Sequence, residues 1–430
     1  MSENEGVSQN NNGLGNKEKP VFHWRDKTTL SEINGIKKAF VEVLDLAEQR
    51  LNFFNREKIE EDRIAVVISA YDAKDLLPET IKHLVNQIKF ANLQGEIFII
   101  FNNGGGNTCE FIRDKISKEE LERKKKELGL DDIIFGNTKP LQKKEEENDL
   151  RVVPRELQLA GNIEEKSGVR LVVINQLEEP ENAGKIRALR DIYNFLILLN
   201  KKTGYYPRYL LAADAETRLI CNDKELDQNF GLGHMISVSS NGEKMVGAKL
   251  NFVPYDNNGN PNFSEKIPPM QMTTNLMHGG NGFEWLPGGA TLGDFSYMVA
   301  ILSTISERLP GTRIEDVLTT VIAKAFGIET LIDEKVIHTN RCPNIKDKEA
   351  VFEQMLRWLK GAEGLRRLVG KSLAQKVIDN NLIEIIKKSL KKRKEVDIIY
   401  LLTGLIPYLR IILLSSAKPD DFKNGSPTFG

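Results

Sequence analysis

The chain reads as an α/β protein built on a doubly wound, mostly parallel sheet flanked by helices. Two observations carry that reading. Short, continuously apolar β-type runs alternate with amphipathic helical stretches, which is the pattern of strand-helix-strand units. Three of these runs end in polar clusters, Tyr71-Asp72, Asn102-Asn103 and Asp214-Ala215-Glu216. In open α/β sheets ligands sit outside the carboxyl ends of the strands, so polar groups collected there mark a binding edge.

The elements follow in order. Residues 1–20 are polar, rich in Asn and Gly, and lack the apolar side chains that offset the entropy of ordering; they read as a disordered tail. Residues 21–61 form a helical lead-in. From Leu30 to Phe54 the residues Ile33, Ile36, Phe40, Val43, Leu44, Ala47 and Leu51 recur at helical spacing. Ile64–Ala70 is apolar on both faces, as a central parallel strand must be, and Leu76–Lys89 has a helical period. Ile97–Phe101, Val169–Ile174 and Tyr209–Ala213 read as further strands. Between them, residues 108–167 form a highly charged segment with a helical stretch over Lys118–Leu130, expected to be a partly disordered surface insert. A helix opens at Glu315 and stops at Gly327, and a strand over Thr330–Ile337 closes at His338. Residues 363–430 form a basic helical extension, with Lys387, Lys388, Lys391, Lys392, Arg393 and Lys394 ahead of an apolar segment at 398–414. That pairing suits a peripheral membrane contact or a solvated helix face.

Composition excludes several classes. With 60 basic against 61 acidic residues the formal charge is −1, so no global field draws the chain onto nucleic acid. Cys109, Cys221 and Cys342 lie far apart, which fits neither a disulfide framework nor a structural zinc site, and a reducing cytoplasm is expected. The N-terminal residues lack the apolar core of a secretory signal. The 398–414 segment is broken by Pro407 and Arg410 and falls short of the roughly 20 apolar residues that span a bilayer.

Three clusters carry chemistry. Asp214 and Glu216 flank one small residue at a strand end, so their carboxylates can share a hard cation such as Mg²⁺ or Mn²⁺ and leave room for phosphate oxygens; an isolated acid-x-acid triplet also serves as a loop or cap. Glu315-Asp316 supplies a carboxylate able to take a proton, with Asp316 preferred, although acidic residues also favour a first helical turn. Gln354, Arg357 and Trp358, at i, i+3 and i+4, put an amide, a guanidinium and an indole on one helix face, where they can grip a diphosphate and stack on a sugar, or bury a Trp in an amphipathic helix. Lys185, opening a helix, can face the diphosphate or cap a surface turn. His338 is a candidate third metal ligand or a structural histidine. Gly288-Gly289 permits close backbone approach to a ligand, or forms a turn.

Over about residues 62–362 the chain resembles the family 2 glycosyltransferases, whose domain has the GT-A fold. The resemblance rests on Val67-Ile68-Ser69-Ala70-Tyr71-Asp72, Glu181-Asn182-Ala183-Gly184-Lys185, Ala213-Asp214-Ala215-Glu216, Gly288-Gly289-Ala290, Ile314-Glu315-Asp316 and Glu353-Gln354-Met355-Leu356-Arg357-Trp358, in that order. It implies inverting transfer from a nucleoside-diphosphate sugar to a hydroxyl of a glycan or lipid-linked acceptor, a hexosyltransferase-like reaction dependent on Mn²⁺ or Mg²⁺. Asp214 and Glu216 would hold the metal-diphosphate, and Asp316 would be the base with Glu315 beside it. Tyr71, Asp72, Asn102, Asn103 and Lys185 would line the nucleotide-sugar. Gly288, Gly289, Gln354, Arg357 and Trp358 would face the acceptor and diphosphate.

The chain departs from the family pattern in four places. Asn102 and Asn103 stand where an aspartate is usual, Glu216 replaces an aspartate, Thr291-Leu292-Gly293-Asp294 lacks the usual Arg, and several membrane spans after the Trp helix are missing. The last argues against a processive, secreting polymerase. The expectation is a cytoplasmic enzyme, with the inner membrane face as a possible site of contact. A non-catalytic nucleotide-sugar or glycan-binding protein on the same fold is the alternative.

Overall fold

The computed structural model describes residues 38–54, 59–70, 76–101, 117–140, 155–159, 163, 168–176, 185–253, 286–309 and 315–341. The elements run α1 (Lys38–Phe53), β1 (Glu60–Ala70), α2 (Leu77–Phe90), β2 (Gln94–Phe101), α3 (Lys118–Leu128), β3 (Asp132–Pro140), β4 (Arg155–Leu159), β5 (Val169–Gln176), α4 (Lys185–Thr203), β6 (Pro207–Asp214), β7 (Arg218–Cys221), a 3₁₀ turn (Gln228–Phe230), α5 (Gly231–Val238), β8 (Lys244–Val253), β9 (Ala290–Asp294), α6 (Phe295–Arg308), α7 (Glu315–Ala325) and β10 (Glu329–Arg341). Ten strands form one sheet in the order β4-β3-β5-β2-β1-β6-β9-β8-β10-β7. It is mostly parallel. β9 runs antiparallel to both β6 and β8, and β4 and β7 are antiparallel to their neighbours at the two edges.

The period-2 alternation of the central strands divides the interior into two cores. Ala65 and Val67 of β1, with Phe98 and Ile100 of β2, face a layer made by α1, α4, α6 and α7. Ile64, Val66 and Ile68, with Ile97 and Ile99, face α2 and α5. Burial of both strand faces explains why β1, β2, β5 and β6 read as unbroken apolar runs. The chain steps from β1 to β2 on one side and later places β6 on the other, so the sheet's winding reverses between β1 and β6. A crevice opens at such a point above the carboxyl ends of the strands.

The structure corrects two expectations and adds a strand that the sequence left unassigned. The charged segment 108–167 is more than a surface insert: it supplies β3, parallel to β5, and β4. The stretch after Gly288-Gly289 is strand β9, wholly buried between β6 and β8. His338 lies inside β10, paired with Leu219 and Leu250, instead of closing a strand. Helix α7 does end before Gly327, whose left-handed φ of 72° suits glycine.

A buried polar network closes the amino-terminal side of the sheet. Glu96 of β2 accepts from Arg63 of β1, from Arg170 of β5 and from the Tyr205 hydroxyl at 2.6 Å, and both arginines also donate to the Ile163 carbonyl. Burial and the neighbouring Glu96 carboxylate hold the Tyr205 phenol well above its ordinary pKa, so it stays a donor. Among the described residues no helix is long and apolar enough to cross a membrane.

Candidate functional site

Asp214 is the last residue of β6 and opens a tight turn in which the Thr217 N–H donates to the Asp214 carbonyl at 3.0 Å. Asp214, Ala215 and Glu216 are half-buried, while Thr217 is fully buried. The pairing Ala213↔Ala290 sets the start of β9 beside the end of β6, and this brings Gly288-Gly289 to Asp214. The Gly289 carbonyl accepts from the Asp214 N–H at 3.2 Å and from the Thr217 hydroxyl at 2.7 Å, and that hydroxyl accepts from the Asp214 N–H at 2.8 Å.

Two further threonines hold the segment before Gly288, and one of them joins it to α7. The Thr320 hydroxyl accepts from the Leu286 N–H at 2.7 Å and donates to the Asp316 carbonyl at 3.1 Å. The Thr291 hydroxyl donates to the Pro287 carbonyl at 2.9 Å. Asp316 consequently sits against the turn: a Cβ placed on Gly288 would lie 3.6 Å from Asp316 Oδ2. Glu315 and Asp316 line a small cavity whose other walls include Val67, Leu189, Tyr193, Ala213, Leu286 and Met298. The two carboxylates are the charged groups of an otherwise largely apolar chamber.

His338 is fully buried beneath Gly289. A Cβ on Gly289 would meet its ring at 2.8 Å from Nδ1 and 2.9 Å from Nε2. Gly289 is thus required by the imidazole's volume, which is a close-approach role for glycine. Among the described residues no three His, Cys, Asp or Glu side chains come together as a metal cage. Asp214 and Glu216 put two carboxylates on one turn, hard oxygen groups of the kind accepted by a cation that also takes phosphate and water oxygens.

Asp214, Gly288, Gly289 and Asp316 are therefore brought together, with Glu216, Glu315 and His338 nearby. The backbone of Lys185 begins α4. Tyr71, Asp72, Asn102, Asn103, Gln354, Arg357 and Trp358 lie outside the described residues. The sequence reading missed Thr217, Thr291 and Thr320. Thr217 had a local signal, because a hydroxyl three residues after a strand-ending aspartate is placed to close its turn; the other two bond across the fold.

No protein-family model matches the chain, and no curated protein matches it in sequence. Among solved structures, one fold match is a mannosyltransferase from Pyrobaculum calidifontis in complex with GDP-Man and Mn²⁺, with a TM-score of 0.39, 11% identity, and coverage of 88% of this chain and 91% of that one.

Proposed function

We propose that this chain is a metal-dependent, inverting glycosyltransferase that moves a sugar from a nucleoside-diphosphate sugar to a hydroxyl of a glycan or lipid-linked acceptor. One observation carries the reading: the Asp214 turn, the Gly288-Gly289 turn and the backbone of Asp316, distant in sequence, are bonded into one unit at the carboxyl edge of a doubly wound sheet, with the Asp316 carboxylate beside Gly288. Such an edge is where this architecture takes nucleotides.

Asp214 and Glu216 would hold Mn²⁺ or Mg²⁺, which when bound offsets the charge growing on the leaving diphosphate. Asp316 accepts the acceptor hydroxyl's proton as its oxygen attacks the anomeric carbon from the side opposite the diphosphate, so the configuration inverts. Glu315 flanks the base. The bare Gly288 Cα lets the sugar approach the Asp316 carboxylate without a side chain between them. Lys185, Gln354, Arg357 and Trp358 take the diphosphate and acceptor face, and Tyr71, Asp72, Asn102 and Asn103 the nucleotide, as the family resemblance implies.

The test is nucleotide release from a panel of UDP-, GDP- and dTDP-sugars with Mn²⁺ or Mg²⁺ and acceptor extracts, comparing wild type with Asp214→Asn and Asp316→Asn. Each substitution is expected to lower release by about 100-fold or more, the usual range for losing a general base or a key electrostatic group. Metal-dependent nucleotide-sugar binding with no release from any donor would instead favour a non-catalytic binding protein.

A further inference from the structure

We propose that His83, on α2, is a positioning residue for the Asp214–Glu216 turn, acting through the backbone of Leu219; this rests on the glycosyltransferase reading above. The backbone N–H of Leu219 donates to His83 Nε2 at 2.9 Å. The Leu219 carbonyl accepts from the Gln87 side-chain amide at 3.1 Å, one helical turn along α2. Gln87 Oε1 in turn accepts from the Leu232 N–H at 2.8 Å, at the start of α5. A strand at a sheet edge presents unpaired N–H and carbonyl groups on its outer side, and here two α2 side chains occupy both of those of Leu219. Leu219 is fully buried, and Gly231 packs against it so closely that an added Cβ would lie 3.1 Å from the Leu219 Cβ.

Leu219 stands two residues after Thr217, whose hydroxyl joins the Asp214 N–H to the Gly289 carbonyl. It also pairs across the sheet with His338, whose ring packs under Gly289. The path from α2 to the metal-binding turn is therefore short and made of bonded or packed groups. Asp214 is fixed by β6, whereas Glu216 is followed by only Thr217 and Arg218 before the latched residue. Leu219 is thus a hold on the far end of the turn, beside the Arg218–Thr339 pairing, and its release loosens the backbone that carries Glu216. Only a neutral imidazole can accept the amide proton, and burial together with the Arg218 charge disfavours the protonated ring.

The experiment uses the full chain with His83→Leu, which fills similar volume without an acceptor, and His83→Gln, which restores one. Two readouts are taken: hydrogen-deuterium exchange over residues 214–221, and the Mn²⁺ concentration giving half-maximal nucleotide release. His83→Leu is expected to exchange faster over that segment and to need about tenfold more Mn²⁺, the lower end of what losing a ligand-orienting partner costs. At saturating Mn²⁺ its release rate stays within about twofold of wild type, and His83→Gln restores both properties. Unchanged exchange, or faster exchange with an unchanged Mn²⁺ requirement, would overturn the inference. Should His83→Leu not fold, wild type against His83→Gln at pH 4 and below gives the same comparison, because the His83 ring takes up its proton only there and glutamine takes none. If wild type releases nucleotide from no donor, the transferase reading fails, and slower exchange at 214–216 on adding Mn²⁺, lost in His83→Leu, still decides the latch.

Discussion

Gly289→Ala is the sharpest perturbation of the turn. The new methyl would stand 2.8 Å from His338 Nδ1 and 2.9 Å from Nε2, closer than real side-chain carbons approach, and the ring is fully buried with β7 and β8 paired on either side of its strand. Overpacking of a filled interior costs about 1–3 kcal/mol. If the turn moves to make room, the Gly289 carbonyl leaves the Asp214 N–H and the Thr217 hydroxyl, and each lost bond adds about 0.5–1.5 kcal/mol. The expected loss is therefore about 2–6 kcal/mol in urea unfolding. The decisive assay is a double-mutant cycle with His338→Ala. Removing the ring opens the space the methyl needs, so the two substitutions together should cost at least about 1 kcal/mol less than their sum. Additive costs, or a Gly289→Ala cost below about 0.5 kcal/mol, would refute the packing argument.

Three further outcomes are expected. Gly288→Ala meets Asp316 Cβ at 3.4 Å, an ordinary contact, so unfolding should shift by less than about 1 kcal/mol, while nucleotide release falls because the methyl lies beside the carboxylate; unchanged release would remove Gly288 from the site. Glu96→Ala removes the carboxylate that the buried Arg63 and Arg170 share, leaving Arg63 its pair with Glu60 and both their bonds to the Ile163 carbonyl, and should cost about 3–5 kcal/mol in urea unfolding; a cost under about 1 kcal/mol would mean the network is solvated. Finally, burial and then the Arg218 charge hold the His83 pKa down from 6.5 to about 4. Because the folded state disfavours the proton, stability is complete above pH 6.5 and falls as the pH drops towards 4, by about 3 kcal/mol in all. His83→Gln should lack that part of the acid loss, and identical pH profiles of the two proteins would exclude it.

The legible parts of the fold were those whose residues report their own surroundings. β1 and β2 carry apolar side chains on both faces because helices cover both, so their sequence could scarcely be anything else. β3 was hidden because only Ile133, Ile134 and Phe135 are apolar before Gly136-Asn137-Thr138 follows, a short signal among many charges. β9 was hidden for a different reason. Ala290-Thr291-Leu292-Gly293-Asp294 is short and holds a glycine, which weakens any strand reading, yet a Cβ added at Gly293 would come within 3.2 Å of the Met298 and Met245 side chains. At the site, Asp214, Gly288 and Asp316 were legible by residue type and order. The hydroxyls that bind them together were not, because a threonine's partner across a turn leaves no periodicity to read.

Those hydroxyls bear on how the site holds its carboxylates. A carboxylate fixed by a basic partner has its charge partly spent on that partner, and it becomes a poorer proton acceptor and a weaker cation ligand. Here the Asp214 N–H bonds to Thr217 and Gly289, the Asp214 carbonyl to Thr217, and the Asp316 carbonyl to Thr320. Threonine carries no charge, so these bonds fix the two backbones without neutralising either side chain. A polar turn pinned by neutral hydroxyls, between a buried imidazole and a largely apolar chamber, is the arrangement the proposed transfer needs, with a cation to meet on one side and a reacting hydroxyl on the other.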